Sequence, residues 1–136
     1  SMWHDWSGKA YDHNILFYKE WTDVASQTII DMDAEFMTLL RHLPVAQGAI
    51  PPLLEYYESH DAASLTRKIS SIAAFQNITS PMVQTPDGWV PDFQSRYFTE
   101  DFPFGLKFIA DLAHQHGVPT PTIDKVHEWG LSKVDL

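Results

Sequence analysis

The chain has 136 residues, room for one domain, and its 44% hydrophobic content with 5 Trp, 5 Tyr and 8 Phe supports a buried core rather than disorder. Nine Lys and Arg against eighteen Asp and Glu give a net charge of −9, which excludes the basic footprint of a nucleic-acid binder. No cysteine is present, so disulfides, thiolate nucleophiles and cysteine-held zinc are excluded, and no apolar run or leader pattern suggests a membrane span or export. A soluble, acidic, cytoplasmic protein is expected.

In chain order, Ser1-Met2 reads as a protease scar before a start methionine. Trp3 and Trp6 follow with nothing before them to pack on, so an exposed pair and a truncated upstream neighbour are expected. Residues 22 to 43 are predicted to form one long helix of about 33 Å. Val24, Ala25, Ile29, Met32, Phe36, Met37, Leu40 and Leu43 recur at helical spacing, Thr22 caps the start and Pro44 bars continuation. Pro51 and Pro52 suit the first turn of a helix over 53–60. A third helix is predicted over 63–75, with Leu65, Ile69, Ile72 and Ala73 facing inward.

Between residues 76 and 95 helical periodicity is lost. Thr85-Pro86-Asp87-Gly88 is a turn, because proline fixes φ and glycine accepts positive φ, and Met82–Gln84 pairs with Trp89–Val90 across it. A fourth helix is predicted to start between Thr99 and Pro103 and to end at His116, with Gly117 as its C′ residue. Its buried stripe is expected to hold Phe104, Phe108, Ile109 and Leu112. A last helix, capped by Thr122, carries Ile123, Val126, His127 and Trp129 to about Lys133. The expected fold is therefore all-α: about five helices and one irregular loop or small hairpin, in a single domain spanning 1–136.

Well-known sites are missing from the sequence. It has no GxGxxG or phosphate loop, no Gly-x-Ser-x-Gly elbow and no HExxH zinc motif. His114 and His116 are two apart near a helix end, where they do not share a face, so no metal is expected there. His4, His13, His42, His60 and His127 are scattered. One segment stands out: residues 92–103 join the irregular stretch to a helix start, where backbone N–H groups favour anions. Arg96 offers a planar fork suited to a carboxylate, and Asp101 could orient a histidine. Equally, Asp101 or Thr99 could be an N-cap and Arg96 half of a structural ion pair.

This same segment, Arg96-Tyr97-Phe98-Thr99-Glu100-Asp101-Phe102-Pro103-Phe104-Gly105, resembles the signature of the C-terminal helical domain of octopine and other opine dehydrogenases. The similarity extends to Pro86-Asp87-Gly88, Val90-Pro91-Asp92-Phe93, Gly117-Val118-Pro119-Thr120-Pro121 and Ile123-Asp124-Lys125. It also takes in Trp3, Trp6, Gly8 and Lys9, then Leu16-Phe17-Tyr18 and Leu54-Glu55-Tyr56-Tyr57. The resemblance implies a helical domain like the C-terminal one of 6-phosphogluconate-dehydrogenase-like oxidoreductases, here without its N-terminal Rossmann partner. It further implies an enzyme that condenses an amino acid with a 2-oxo acid such as pyruvate and reduces the imine with NAD or NADP in the reduced form.

By the same resemblance Asp101 is the acidic member of a catalytic His–Asp pair, and Arg96 binds a substrate carboxylate at the edge of the site. The histidine of that pair would precede Ser1, and His4 is out of register with it. No cofactor-binding residue and no metal ligand are expected in this chain, which alone should be inactive. Ser7 stands where the family often has Asp, and Pro51-Pro52-Leu53 lacks aromatic residues that select the amino substrate in some relatives. Two other readings are a stand-alone binding or dimerisation module and the helical domain of a hydroxy-acid dehydrogenase.

Overall fold

In the computed structural model, residues 3–134 are described, so the expectation for Ser1-Met2 lies outside them. Thr22 opens the long helix as its sequence predicts. Its backbone is extended (φ −106°, ψ 157°) and its hydroxyl accepts a hydrogen bond from Ala25 N at 3.2 Å, after which α1 runs Asp23–Arg41. Val24 departs from the expected inward stripe and is 49% exposed, whereas Ser26 is buried. The Ser26 hydroxyl meets Thr66 Oγ1 at 2.7 Å and accepts from Trp21 Nε1 at 3.0 Å, so a small polar knot stands where α1 meets the helix that carries Thr66.

The second helix is shorter than predicted: α2 is Leu53–Tyr56, and Glu58, at φ +52°, turns the backbone out of the helical region before His60. Helix α3, Ala62–Ser71, starts on Asp61, whose carboxylate takes the Ser64 N–H while Ser64 returns the contact, a complete capping box. A 3-10 turn at Ala73–Phe75 follows. The predicted hairpin forms from β1, Met82–Thr85, and β2, Gly88–Pro91, paired antiparallel with Thr85 opposite Gly88. Gly88 is needed twice over. Its φ is +125°, and a methyl group there would lie 2.3 Å from the Tyr11 carbonyl oxygen.

That close approach fixes the N-terminal segment. Tyr11 and Trp89 exchange backbone hydrogen bonds at 2.8 Å in both directions, and Ser80 N and Phe17 N bond Ile15 O and Ile78 O. Residues 3–21 are thereby laid along the hairpin and its approach. Trp3, predicted to be exposed, is 2% exposed instead and stacks on Phe98 with centroids 6.2 Å apart. Trp6 is half-buried beside Phe93. The sequence offered no earlier element to cover Trp3; its cover comes from residues nearly a hundred positions later.

Helices α4, Arg96–Thr99, and α5, Lys107–Gln115, are joined end to end through a widened turn described below, and α6 is Pro121–Lys133. Gly117 ends α5 at φ +66°, as its sequence predicts. Trp3, Ile15, Ala25, Phe98, Phe102 and Val126 share the main core, with Trp129 packed at its edge. Leu39, Ala113 and Val118 form a second cluster. Among the described residues no helix is long and apolar enough to cross a membrane.

The predicted cap of the last helix is corrected. Thr120, not Thr122, occupies the N-cap position and makes no side-chain bond to the helix backbone. Glu35, from the middle of α1, reaches across instead: its two oxygens accept from Thr122 N at 2.7 Å and Ile123 N at 2.9 Å. A carboxylate at the positive end of a helix supplies both hydrogen bonds and favourable charge. Glu35→Ala is therefore expected to destabilise the fold by about 1–3 kcal/mol, read as a lower urea midpoint. An unchanged midpoint would mean that water replaces the carboxylate without loss.

Candidate functional site

The continuous helix from Arg96 to Gln115 is interrupted by six residues of π-helix, Asp101–Leu106. Pro103 supplies the local reason, since it has no N–H to offer the carbonyl four residues back. Glu100 lies at φ −110°, ψ −48°, and its carbonyl accepts from Phe104 N at 3.2 Å and from Gly105 N at 3.5 Å. The turn thus gains a residue. Such bulges occur often at functional sites because they re-aim side chains without ending the helix.

The extra residue changes the phase of the stripe. Phe98 and Phe102 point into the core with Ala110 and Ala113, while Tyr97, Phe104 and Phe108 stand 53%, 71% and 67% exposed. This corrects the expected burial of Phe104 and Phe108, which took the helix to begin between Thr99 and Pro103 with a regular α-helical period. Ile109 and Leu112 are partly buried against the second cluster, as expected. Asp101 falls among the exposed residues, between Tyr97 and Phe104.

A groove of about 410 Å³ runs along this helix. It is lined by Trp3, Phe17, Trp21, Tyr97, Phe102 and Gly105 among others, and Asp101 is the single carboxylate on its lining. Phe17 holds the aromatic wall together: its ring stacks on Tyr97 at 5.9 Å and tilts against Trp21 at 5.7 Å. Behind Phe17, Tyr18 packs edge-on to it at 4.8 Å and stacks on Phe75 at 4.4 Å. A carboxylate beside aromatic faces suits an apolar group or a cation and disfavours an anion.

Arg96 and Asp101 border the same shallow depression, with Tyr97 and Glu100 between them. The two residues expected at the site are therefore brought together. The Arg96 fork is engaged, however: Nε donates to Glu100 Oε1 at 2.8 Å and a terminal nitrogen donates to Oε2 at 2.9 Å. This is an exposed, two-pronged i,i+4 pair. The Arg96 hydrogen bonds hold the Glu100 carboxyl below its usual range, and Glu100 in turn raises Arg96 further, with Asp101 adding to it. Because Glu100's folded pKa is lowered, the pair's contribution is present above the ordinary glutamate pKa and is lost as pH falls through the lowered one.

Sequence reasoning anticipated an ion pair for Arg96 without naming its partner; Arg-x-x-x-Glu within one helix was the available signal. It did not anticipate the wall made by Phe17, Trp21 and Tyr97, which joins parts of the chain about eighty residues apart. The histidines gather no metal site: among the described residues no group of three His, Asp or Glu is arranged to hold one. His114 Nε2 lies 3.1 Å from Asp124 Oδ2, and His13 Nε2 lies 2.8 Å from Glu20 Oε1. His4 Nε2 is 3.5 Å from Thr28 Oγ1 on α1.

The glycine-rich turn from a parallel strand into a helix that cradles a dinucleotide's phosphates is not found among the described residues. The strands present are one antiparallel hairpin, and the close backbone approach at Gly88 is to the chain's own Tyr11 carbonyl.

The sequence matches, over residues 3–133, the family described as NAD/NADP octopine/nopaline dehydrogenase, alpha-helical domain. It is 36% identical to tauropine dehydrogenase of Arabella iricolor, across 95% of this chain and 36% of that protein. It is 31% identical to opine dehydrogenase of Haliotis discus hannai, across 93% of this chain and 34% of that protein. A solved octopine dehydrogenase with NADH and L-arginine superposes at a TM-score of 0.80 and 25% identity, covering 96% of this chain and 35% of that one. Another, with NADH and pyruvate, shares the fold at a TM-score of 0.82 and 24% identity. The chain spans about a third of the length of these relatives.

Proposed function

The chain belongs to the octopine/nopaline dehydrogenase alpha-helical domain family, and we propose that it is the C-terminal, substrate-side domain of an NAD(P)H-dependent opine dehydrogenase. In that enzyme an amino acid's nitrogen attacks the carbonyl carbon of a 2-oxo acid such as pyruvate. Water leaves to give an imine, and a hydride to its carbon with a proton to its nitrogen then yields a secondary-amine dicarboxylate. That hydride would come from a reduced nicotinamide held by a preceding Rossmann domain.

The observation that carries this reading is the placement of Asp101. Within a family match that covers nearly the whole chain, the widened helix presents this carboxylate at the edge of an aromatic groove and beside Arg96. Asp101 is assigned the task of fixing the tautomer of a histidine from the preceding domain and stabilising its imidazolium. Arg96 is assigned the 2-oxo acid's carboxylate, for which it must exchange Glu100. The rival of a stand-alone binding or dimerisation module rests on exposed Trp3 and Trp6 and on apolar helix faces that could pair with another copy. Trp3 is buried, so the first of these supports is gone.

Product analysis tests the reaction type. The full-length protein, given pyruvate, a mixture of amino acids and either reduced cofactor, should yield a secondary-amine dicarboxylate by mass spectrometry. Lactate or another hydroxy acid as the sole product would instead favour a hydroxy-acid dehydrogenase. Arg96→Lys removes the planar fork and should raise KM for the 2-oxo acid about tenfold (~1.4 kcal/mol) with kcat little changed. An unmoved KM would leave Arg96 as the partner of Glu100 alone.

A further inference from the structure

We propose that Glu100 is a built-in competitor for the 2-oxo acid: its carboxylate holds the Arg96 fork until the substrate displaces it, and so sets that substrate's affinity. This rests on the reading above that Arg96 receives the 2-oxo acid's carboxylate.

Glu100 already makes the contacts a substrate carboxylate would seek. Its Oε1 accepts from Arg96 Nε at 2.8 Å and its Oε2 from a terminal nitrogen at 2.9 Å, both on one edge of the guanidinium. Two parallel bonds of this kind are how arginine grips a carboxylate. The same bonds hold the Glu100 carboxyl below its usual range, so the competitor is itself an anion near neutral pH.

The free edge of the fork is a poor alternative for the substrate. A second carboxylate there would share one positive charge with Glu100. Asp101 borders the same depression, so one cation there already faces two carboxylates. An arriving anion meets net repulsion for as long as Glu100 stays. Withdrawal of Glu100 both frees the gripping edge and carries one negative charge away.

Glu100 is also placed to withdraw. Its side chain is half exposed and Arg96 is more exposed still, so water solvates both when they part. Exposed pairs of this kind are weak, which suits a contact that must yield to a substrate. The widened turn does not depend on that side chain, because it is the Glu100 backbone carbonyl that accepts from Phe104 N and Gly105 N. Acting on the substrate only through Arg96, Glu100 is a positioning residue whose effect on affinity is negative.

The test titrates pyruvate into the NADH-loaded full-length protein by calorimetry, beside steady-state KM values for pyruvate and for the amino acid. Glu100→Gln keeps the shape and removes the charge. It should tighten pyruvate about two- to fivefold, the scale of an exposed ion pair, with the amino acid's KM unmoved. Were Glu100 there to align Arg96 for the substrate, the same variant would weaken pyruvate; weaker or unchanged binding overturns the proposal. Glu100→Asp keeps the charge on a side chain too short to span the fork, and should tighten pyruvate in the same direction. Wild-type affinity in Glu100→Asp, with tightening in Glu100→Gln, would mean simple repulsion and would also overturn it. Calorimetry needs no turnover. The expected shifts without any opine formed would sink the reaction alone, whereas opine formed with unshifted affinity would sink the competitor alone.

Discussion

Asp101→Asn in the full-length protein is expected to lower kcat by about 10²–10⁴-fold while leaving the melting temperature unchanged. The two halves of that expectation have separate grounds. Asp101 is exposed on the outer side of the π turn, and Asn has nearly its shape, so the fold loses little. On the proposed role, what would be lost is the negative charge that holds a histidine of the preceding domain in one tautomer and stabilises it when protonated. Steady-state kinetics beside thermal melts will separate these. A variant with wild-type kcat would reduce Asp101 to a residue of the helix's first widened turn.

The second large effect is expected at Gly130→Ala. In an ordinary helix this change is favourable by about 1 kcal/mol. Here Gly130 faces Phe102 across the interface between α6 and the π turn, and a methyl group would lie 1.9 Å from Phe102 Cδ1. Phe102 cannot easily yield, because it stacks on Phe98 at 5.4 Å and packs edge-on to Trp129 at 6.0 Å. Overpacking should therefore outweigh helix propensity and leave a net loss of about 1–3 kcal/mol. Because Phe102 is adjacent to Asp101, kcat of the full-length protein should fall as well. A higher urea midpoint would show that the ring swings aside and that the π turn is not held by this contact.

Much of the fold was legible where local chemistry decides it. Thr22 caps α1, proline and glycine set the hairpin turn, and Gly117 closes α5, each through interactions within a few residues. The parts that were not legible depend on distant partners or on a change of period. The N-terminus of α6 is completed by Glu35, about eighty-seven positions earlier, and no pattern near Thr122 announces it. Trp3 looked unpartnered because its partner is Phe98. A helix start is expected between Thr99 and Pro103, whereas the helix runs through Pro103 by widening, and Phe104 and Phe108 lose their expected burial while Ile109 and Leu112 keep theirs.

The same distinction holds for the site. The segment containing Arg96 and Asp101 was recognisable as a unit, and the fold brings both to one depression. The aromatic wall opposite them could not be read from sequence, because Phe17 and Trp21 reach Tyr97 only after the N-terminal segment is stapled to the hairpin through Tyr11 and Trp89. Glu100's grip on Arg96 is local, yet its consequence is not: any carboxylate that Arg96 took up would have to displace Glu100.

The most direct measurement is oxidation of NADH and NADPH followed by absorbance, with pyruvate and a mixture of amino acids, using this chain beside the full-length protein. The account predicts consumption by the full-length protein only, and only when the amine is present. Consumption without amine, consumption by this chain alone, or none by the full-length protein with any amine would contradict it.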